Sequence, residues 1–156
     1  MPKTSAGILL YKKEQGVLQV FLVHPGGPYF VRKDEGAWSI PKGEAEPGEE
    51  LLATALREFR EETGNSPHGT PFALGQVKQS GGKVVHAFAL EGDFDPAYLK
   101  SNMFSVETPK GSGRFRDYPE VDRAEWFDLP EARRRLIPAQ VPLLDVLAAA
   151  PQLRSA

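Results

Sequence analysis

The 156-residue sequence predicts an α/β fold in which helices pack on a mixed sheet. Three observations predict it. Two early runs rich in Val, Ile, Leu and Phe flank a short polar turn. A helical repeat follows between a proline and a glycine, and later strand-like runs give way to two closing helical stretches. No internal repeat, low-complexity tract or linker breaks the order, so residues 1–156 read as a single domain.

Taken in order, Thr4 to Tyr11 and Val17 to Val23 are the first two strands, and the polar KKEQG between them makes a hairpin. The stretch His24-Pro25-Gly26-Gly27-Pro28 breaks the sheet and opens a loop that runs to Ala37. Trp38-Ser39-Ile40 is read as a brief strand before Pro41. From about Gly48 to Thr63 a helix is expected, with Pro47 before it, acidic residues at its start and Gly64 at its end. At about 100° per residue, Leu52, Ala55, Leu56, Phe59 and Thr63 fall on one side of that helix. Phe72 to Lys78 and Lys83 to Leu90 form another strand pair across Gln-Ser-Gly-Gly. Residues 91–121 are irregular, with one strand at Met103 to Glu107 and a basic stretch, PKGSGRFR. Arg123 to Asp128 is a late strand, and Leu129 to Leu136 and Val141 to Ala149 are closing helices.

Composition narrows the function. The formal net charge is −2, so no global field recruits nucleic acid or anionic membrane, and neither a stable nucleic-acid partner nor a membrane is expected. With no cysteine there is no disulfide, no zinc–thiolate site and no thiol nucleophile. That fits a cytoplasmic protein, a monomer or homodimer. The apolar run in MPKTSAGILLYKK is too short to span a membrane and lacks the pattern of a signal peptide.

The most informative segment runs from Gly43 to Gly64. It places Glu58, Glu61 and Glu62 at helical spacing, beside the apolar stripe of the same helix. Like charges so close repel one another. A hard divalent cation held by oxygen ligands accounts for the cluster, since Mg²⁺ is typically shared between one or two carboxylates and substrate phosphates.

Gly43, Glu49 and the run Arg57-Glu58-Phe59-Arg60-Glu61-Glu62-Thr63-Gly64 together resemble the signature of the Nudix hydrolases. The pattern departs from that family at Asn65, where an aliphatic residue is usual, which bears on helix-end packing more than on chemistry. The resemblance implies an α/β/α sandwich with a loop–helix–loop catalytic motif. It also implies hydrolysis of a nucleoside diphosphate linked to another group, with Mg²⁺ or Mn²⁺ as cofactor. By matching positions, Glu58, Glu61 and Glu62 would bind metal with the carbonyl of Gly43, Arg57 would brace a carboxylate, and Glu49 would hold the loop or a metal-bound water. Members of the family often take a further carboxylate from a loop before a late strand. Glu120, six residues ahead of Trp126, is the choice here, with Glu107 and Glu91 as competitors. Either Glu58 or Glu120 would accept the proton of the attacking water.

The substrate would be a small nucleotide-type diphosphate. WSIPKGEAEPGE is similar to a stretch of dinucleoside-tetraphosphate and diphosphoinositol-polyphosphate hydrolases, which would place Lys42 near phosphate; Lys83 matches a lysine of the dinucleoside group. For base stacking the candidates are Tyr29, Phe30 and Tyr118, while Trp38 and Trp126 read as core and His24 and His86 as structural. Lys110, Arg114 and Arg116 keep a diphosphoinositol substrate in play. A non-catalytic, nucleotide-sensing module is the other alternative, although such modules typically lose the carboxylates that all stand here.

Overall fold

A computed structural model describes residues 3–154. Its main sheet has the strand order β4-β5-β1-β2-β8, and β3 adds to β1. The strands are β1 (Thr4–Glu14), β2 (Val17–Pro25), β3 (Lys42–Glu44), β4 (Phe72–Lys78), β5 (Val84–Glu91) and β8 (Val121–Asp128). A separate ribbon pairs β6 (Met103–Glu107) with β7 (Phe115–Pro119). The sheet is mixed, because β1 runs parallel to β5 and antiparallel to β2 and β3.

Period-two alternation along β1 divides the core. Ala6, Ile8 and Leu10 face α1 (Leu51–Thr63), where they meet Ala55 and Phe59. Leu9 and Tyr11 face the other layer, which holds Ala132 and Leu136 at α2 (Leu129–Arg135) and Leu143, Leu144 and Leu147 on α3 (Pro142–Ala148). The result is the expected α/β/α sandwich.

The sheet splits in the middle. Strand β1 pairs with β2 only from Tyr11 to Glu14, and its Ser5 to Gly7 pair with β3 instead. The chain from Trp38 to Glu44 fills the wedge between the two strands. Ser39 exchanges two backbone hydrogen bonds with Val23, and Ile8 N–H donates to the Pro41 carbonyl at 3.1 Å. Trp38 to Ile40 is therefore not the strand expected. It makes isolated bridges to Val23 and Leu136, and the true strand lies two residues after Ile40. A side chain at Gly7 would meet the Pro41 carbonyl at 2.5 Å, so the wedge requires glycine there.

Two further boundaries differ from expectation. Helix α1 starts at Leu51 rather than near Gly48, because Gly48 sits at φ 77°, outside helical space. Residues 115–119, read as part of the irregular 91–121 region, form β7 and pair with β6 from Phe115–Glu107 to Pro119–Met103.

Candidate active site

The Gly43–Gly64 segment wraps around one arginine. Arg57 Nε and Nη2 hold both oxygens of Glu49, at 2.9 and 3.0 Å. Nη2 also donates to the Glu44 carbonyl at 3.0 Å, and Nη1 donates to Glu58 Oε2 at 2.8 Å and Glu61 Oε2 at 3.0 Å. The planar five-donor fork of arginine suits this task, which a lysine could not perform. Glu49 also accepts from Glu46 N–H and the Thr54 hydroxyl, so the loop before the helix is fixed to its second turn. The Arg57 guanidinium, with those donors, holds the Glu49 carboxyl down to about 2.

At the other end, Gly64 closes α1 in the left-handed conformation, donating to the Arg60 carbonyl at 2.8 Å. Asn65 N–H is taken by the Thr63 hydroxyl at 3.2 Å. The last carbonyls of the helix are covered by the segment before β6: Lys100 N–H reaches Thr63 O, and Asn102 N–H reaches Glu61 O. From there the backbone relays directly to Glu120, whose N–H donates to the Asn102 carbonyl at 2.8 Å and whose carbonyl accepts from Gly26 N–H at 2.9 Å. Glu120 is thereby anchored on both sides next to the acidic helix. Nothing local in the sequence marks Asn102 or Gly26 for this role. The one signal is steric and becomes visible only in three dimensions, since a Cβ on Gly26 would fall 2.0 Å from the Pro119 carbonyl.

Burial, followed by the charges of other carboxylates, pushes the acid groups up. Burial leads for Glu58, with Glu61 and Glu120 adding, against the pull of Arg57. Burial also leads for Glu120, with Glu61 adding. Glu62 is raised by burial and by Glu58 and Glu120, against the opposing charge of Lys42. Its Oε1 accepts the Lys42 backbone N–H at 3.3 Å. Gly43 lies directly under the cluster: a Cβ there would sit 2.0 Å from Glu58 Cδ.

The donors fit a hard divalent cation in kind. All are oxygens, and Arg57 takes only Oε2 of Glu58 and Glu61, leaving Oε1 of each without a hydrogen bond among the described residues. They are not already gathered, however. Among the described residues no three His, Asp or Glu side chains stand around a common point at coordinating distance.

A cleft of about 410 Å³ opens beside the acidic helix. Lys42, Glu62 and Glu120 lie along it, Val23, Pro25, Phe30, Ala37, Val121 and Ile137 give it apolar surface, and Lys33 and Ser39 add polar groups. Of the aromatic candidates, Phe30 reaches the cleft. Tyr29 instead points its hydroxyl at the Glu107 carbonyl, 3.4 Å away, and Tyr118 lies on β7 opposite Phe104, outside the cleft lining. Lys83 does not line the cleft either, although its charge joins burial in pushing the Lys42 ammonium down. Glu107 is spent on the ribbon tip, where it accepts from Gly111 and Gly113 N–H. Trp38 is fully buried and Trp126 packs at the edge of the α1 side of the core.

A family model described as the NUDIX domain matches residues 1–147. The chain belongs to the NUDIX domain family, whose hydrolases generally use divalent metal ions. Over 35 residues it is 57% identical to the mitochondrial ADP-ribose pyrophosphatase of Rattus norvegicus; that stretch is 22% of this chain and only 10% of the rat protein. Among solved structures, it resembles a binary complex of C. elegans Ap4A hydrolase (TM-score 0.66, 20% identity, 93% of this chain and 96% of that one). It also resembles the NUDIX domain of Shewanella oneidensis NrtR complexed with ADP ribose (TM-score 0.67, 16% identity, 95% and 87% covered). A MutT protein from Methanosarcina mazei Go1 aligns at TM-score 0.60 and 22% identity, over 92% and 91%. At these identities the structural likeness establishes the fold alone. No helix among the described residues is long and apolar enough to cross a membrane.

Proposed function

We propose that this chain, as one domain, hydrolyses a pyrophosphate linkage in a nucleoside or dinucleoside polyphosphate, with Mg²⁺ or Mn²⁺ as cofactor. One observation carries the reading. The half-buried Lys42 ammonium makes no hydrogen bond or ion pair among the described residues, and it lines the same cleft as Glu62 and Glu120. A cation left without a bonded partner beside crowded carboxylates suits a ligand that brings both phosphate and metal.

Glu58, Glu61, Glu62 and Glu120, with the Gly43 carbonyl, would hold the ion, after rotation of the carboxylates toward one another. When bound, such an ion neutralises phosphate charge, lowers the pKa of water and aligns it on phosphorus. The chain's own residues do the rest. Arg57 fixes Glu58 and Glu61, and Lys42, with Lys83 behind it, offsets phosphate charge. Phe30 offers a face for the base, and Tyr118, on the ribbon, is the reserve stacking candidate. Glu58 or Glu120 accepts the proton as water oxygen bonds to phosphorus and the bridging P–O bond breaks, releasing a nucleotide or phosphate. A cytoplasmic monomer or homodimer without nucleic-acid partner completes the reading, supported by the cysteine-free sequence and its small net charge.

A second reading has its own observation. Lys110, Arg114 and Arg116 form no ion pair among the described residues, and a diphosphoinositol polyphosphate needs many cations. The test is a panel of dinucleoside polyphosphates, nucleoside triphosphates, ADP-ribose, nucleotide sugars and diphosphoinositol phosphates, each with Mg²⁺ and Mn²⁺. Glu61→Gln and Glu62→Gln are expected to lower turnover by orders of magnitude in a protein that still folds. Near-normal turnover of both variants at saturating Mg²⁺ would remove the assignment, and nucleotide binding with no product would point to a sensing module.

A further inference from the structure

Gln140 closes the short helical turn Pro138–Gln140, fully buried, and lays its amide against the wedge that fills the split sheet. Its Oε1 accepts the Ile40 N–H at 3.0 Å, and its Nε2 donates to Ser39 Oγ at 3.0 Å and to Gln79 Oε1 at 2.9 Å. The direction of the amide is set by its surroundings. Ile40 N–H can only donate, and it has no other acceptor among the described residues, so the amide oxygen must face it. Both amide hydrogens are then spent, one of them on Ser39.

That bond decides what the Ser39 hydroxyl can offer. Having accepted from Gln140, it has its proton and one further lone pair to place. The proton goes to the Ile40 carbonyl, 2.7 Å away. Ile40 is fully buried, and its carbonyl takes no other donor among the described residues. Turning the hydroxyl toward a ligand would strand that carbonyl unpaired in the core, where the full desolvation penalty applies. Ser39 is therefore held as an acceptor.

Ser39 is half-buried and lines the cleft. Val23 takes both its backbone N–H and its carbonyl, so the remaining lone pair on Oγ is the polar group it has left for a ligand. Every other polar side chain of the lining is charged. Ser39 is the neutral one, and it stands among apolar surface: Val23 bridges to it, and Ile137 bonds the Trp38 carbonyl beside it. A phosphate oxygen only accepts and gains nothing from such a group, whereas an N–H on a flat apolar ring does. We propose that Ser39 is a specificity-determining residue that accepts a hydrogen bond from an exocyclic amino group of the nucleobase. The inference rests on the proposed function for the presence of a nucleotide in the cleft.

The test deletes the amino group from the ligand. Two matched pairs are built on the best substrate of the panel, adenosine against purine riboside and guanosine against inosine. In the wild type, losing the amine should raise KM about tenfold in at least one pair, with kcat within about threefold. In Ser39→Ala the two members of that pair should come within about twofold of each other, because the acceptor is gone. A merely structural serine would lower the melting point and leave the discrimination intact. If Ser39→Ala does not fold, Ser39→Cys, whose sulfur is a weak acceptor, takes its place with the same expectation. Indifference of the wild type to the amine in both pairs, discrimination that survives in the variant, or a best substrate that carries no base overturns the proposal. Should the wild type turn over nothing, equilibrium binding of the paired triphosphates replaces KM. An amine preference lost in the variant then keeps the inference while the hydrolase reading falls, and equal binding, or none, overturns it.

Discussion

Gly43→Ala separates folding from chemistry at this site. A Cβ at position 43 would lie 2.0 Å from Glu58 Cδ, 2.1 Å from Oε1 and 2.4 Å from Oε2. Ordinary contact begins near 3.4 Å, so the carboxylate must retreat by about 1.4 Å. Because it is the end of a flexible side chain, it can do so without moving backbone. The stability cost is mainly the lost bond from Arg57 Nη1, about 1.5–3 kcal/mol for a charged hydrogen bond. Chemistry is far less tolerant, and a misplacement of about 1 Å costs roughly a hundredfold in rate. The expected result is a folded variant, a few degrees less stable, with kcat down by about a hundredfold or more at saturating Mn²⁺. Gly48→Ala is the control. Gly48 has positive φ but open space around it, so alanine there should cost about 1–2 kcal/mol of stability and leave turnover near normal. A Gly43→Ala enzyme with wild-type kcat would refute the reasoning that Glu58 must stay where it is.

Two other perturbations probe the same region. Glu58, Glu62 and Glu120 bind protons more readily folded than unfolded, so they favour folding below about 4.5 and lose that contribution as pH climbs through their raised values. Glu49 works in the opposite sense, its contribution lost only as pH falls from about 4.5 toward 2. Metal-free protein should therefore melt lower at about pH 8 than at about pH 5, by about 2–4 °C per kcal/mol, and saturating Mg²⁺ should flatten the slope; a slope unaffected by Mg²⁺ contradicts the cation site. Lys42, pushed down by burial, acts the other way toward its ordinary 10.5, so the comparison stops at about pH 8. Gly26→Ala should be costlier than Gly43→Ala, because its Cβ would meet backbone, the Pro119 carbonyl at 2.0 Å. Loss of turnover together with a lowered melting point is expected, and a variant with both unchanged would show that Glu120 needs no such anchor.

Residue patterning revealed most of the fold where an element has one buried face. Strand β1 alternates between two cores and α1 carries a continuous apolar stripe, so both were legible. Strand β7 was not, because Phe115, Arg116 and Asp117 are all exposed and no alternation of apolar and polar residues marks it. The wedge at Trp38 to Ile40 looked like a strand since it is apolar and buried, yet its partners change residue by residue. At the candidate site, helical spacing alone places Glu58, Glu61 and Glu62 as neighbours on one helix, although among the described residues no three such groups stand around a common point. Glu120 lies beside them through backbone bonds to Asn102 and Gly26, which no local pattern encodes. The cleft residues Lys33, Ser39 and Ile137 come from three separate segments that only the folded sheet assembles.

The bond from Glu120 N–H to the Asn102 carbonyl has one more consequence. It clasps the neck of the excursion that contains the whole β6–β7 ribbon, and Gly26 holds the same neck from the other side. Chain beyond a clasped neck can lengthen or shrink at little entropic cost, since each doubling of a loop adds only about 0.6 kcal/mol. The ribbon is thus a module that evolution or an engineer can swap, reshaping what approaches the cleft while Glu120 keeps its post.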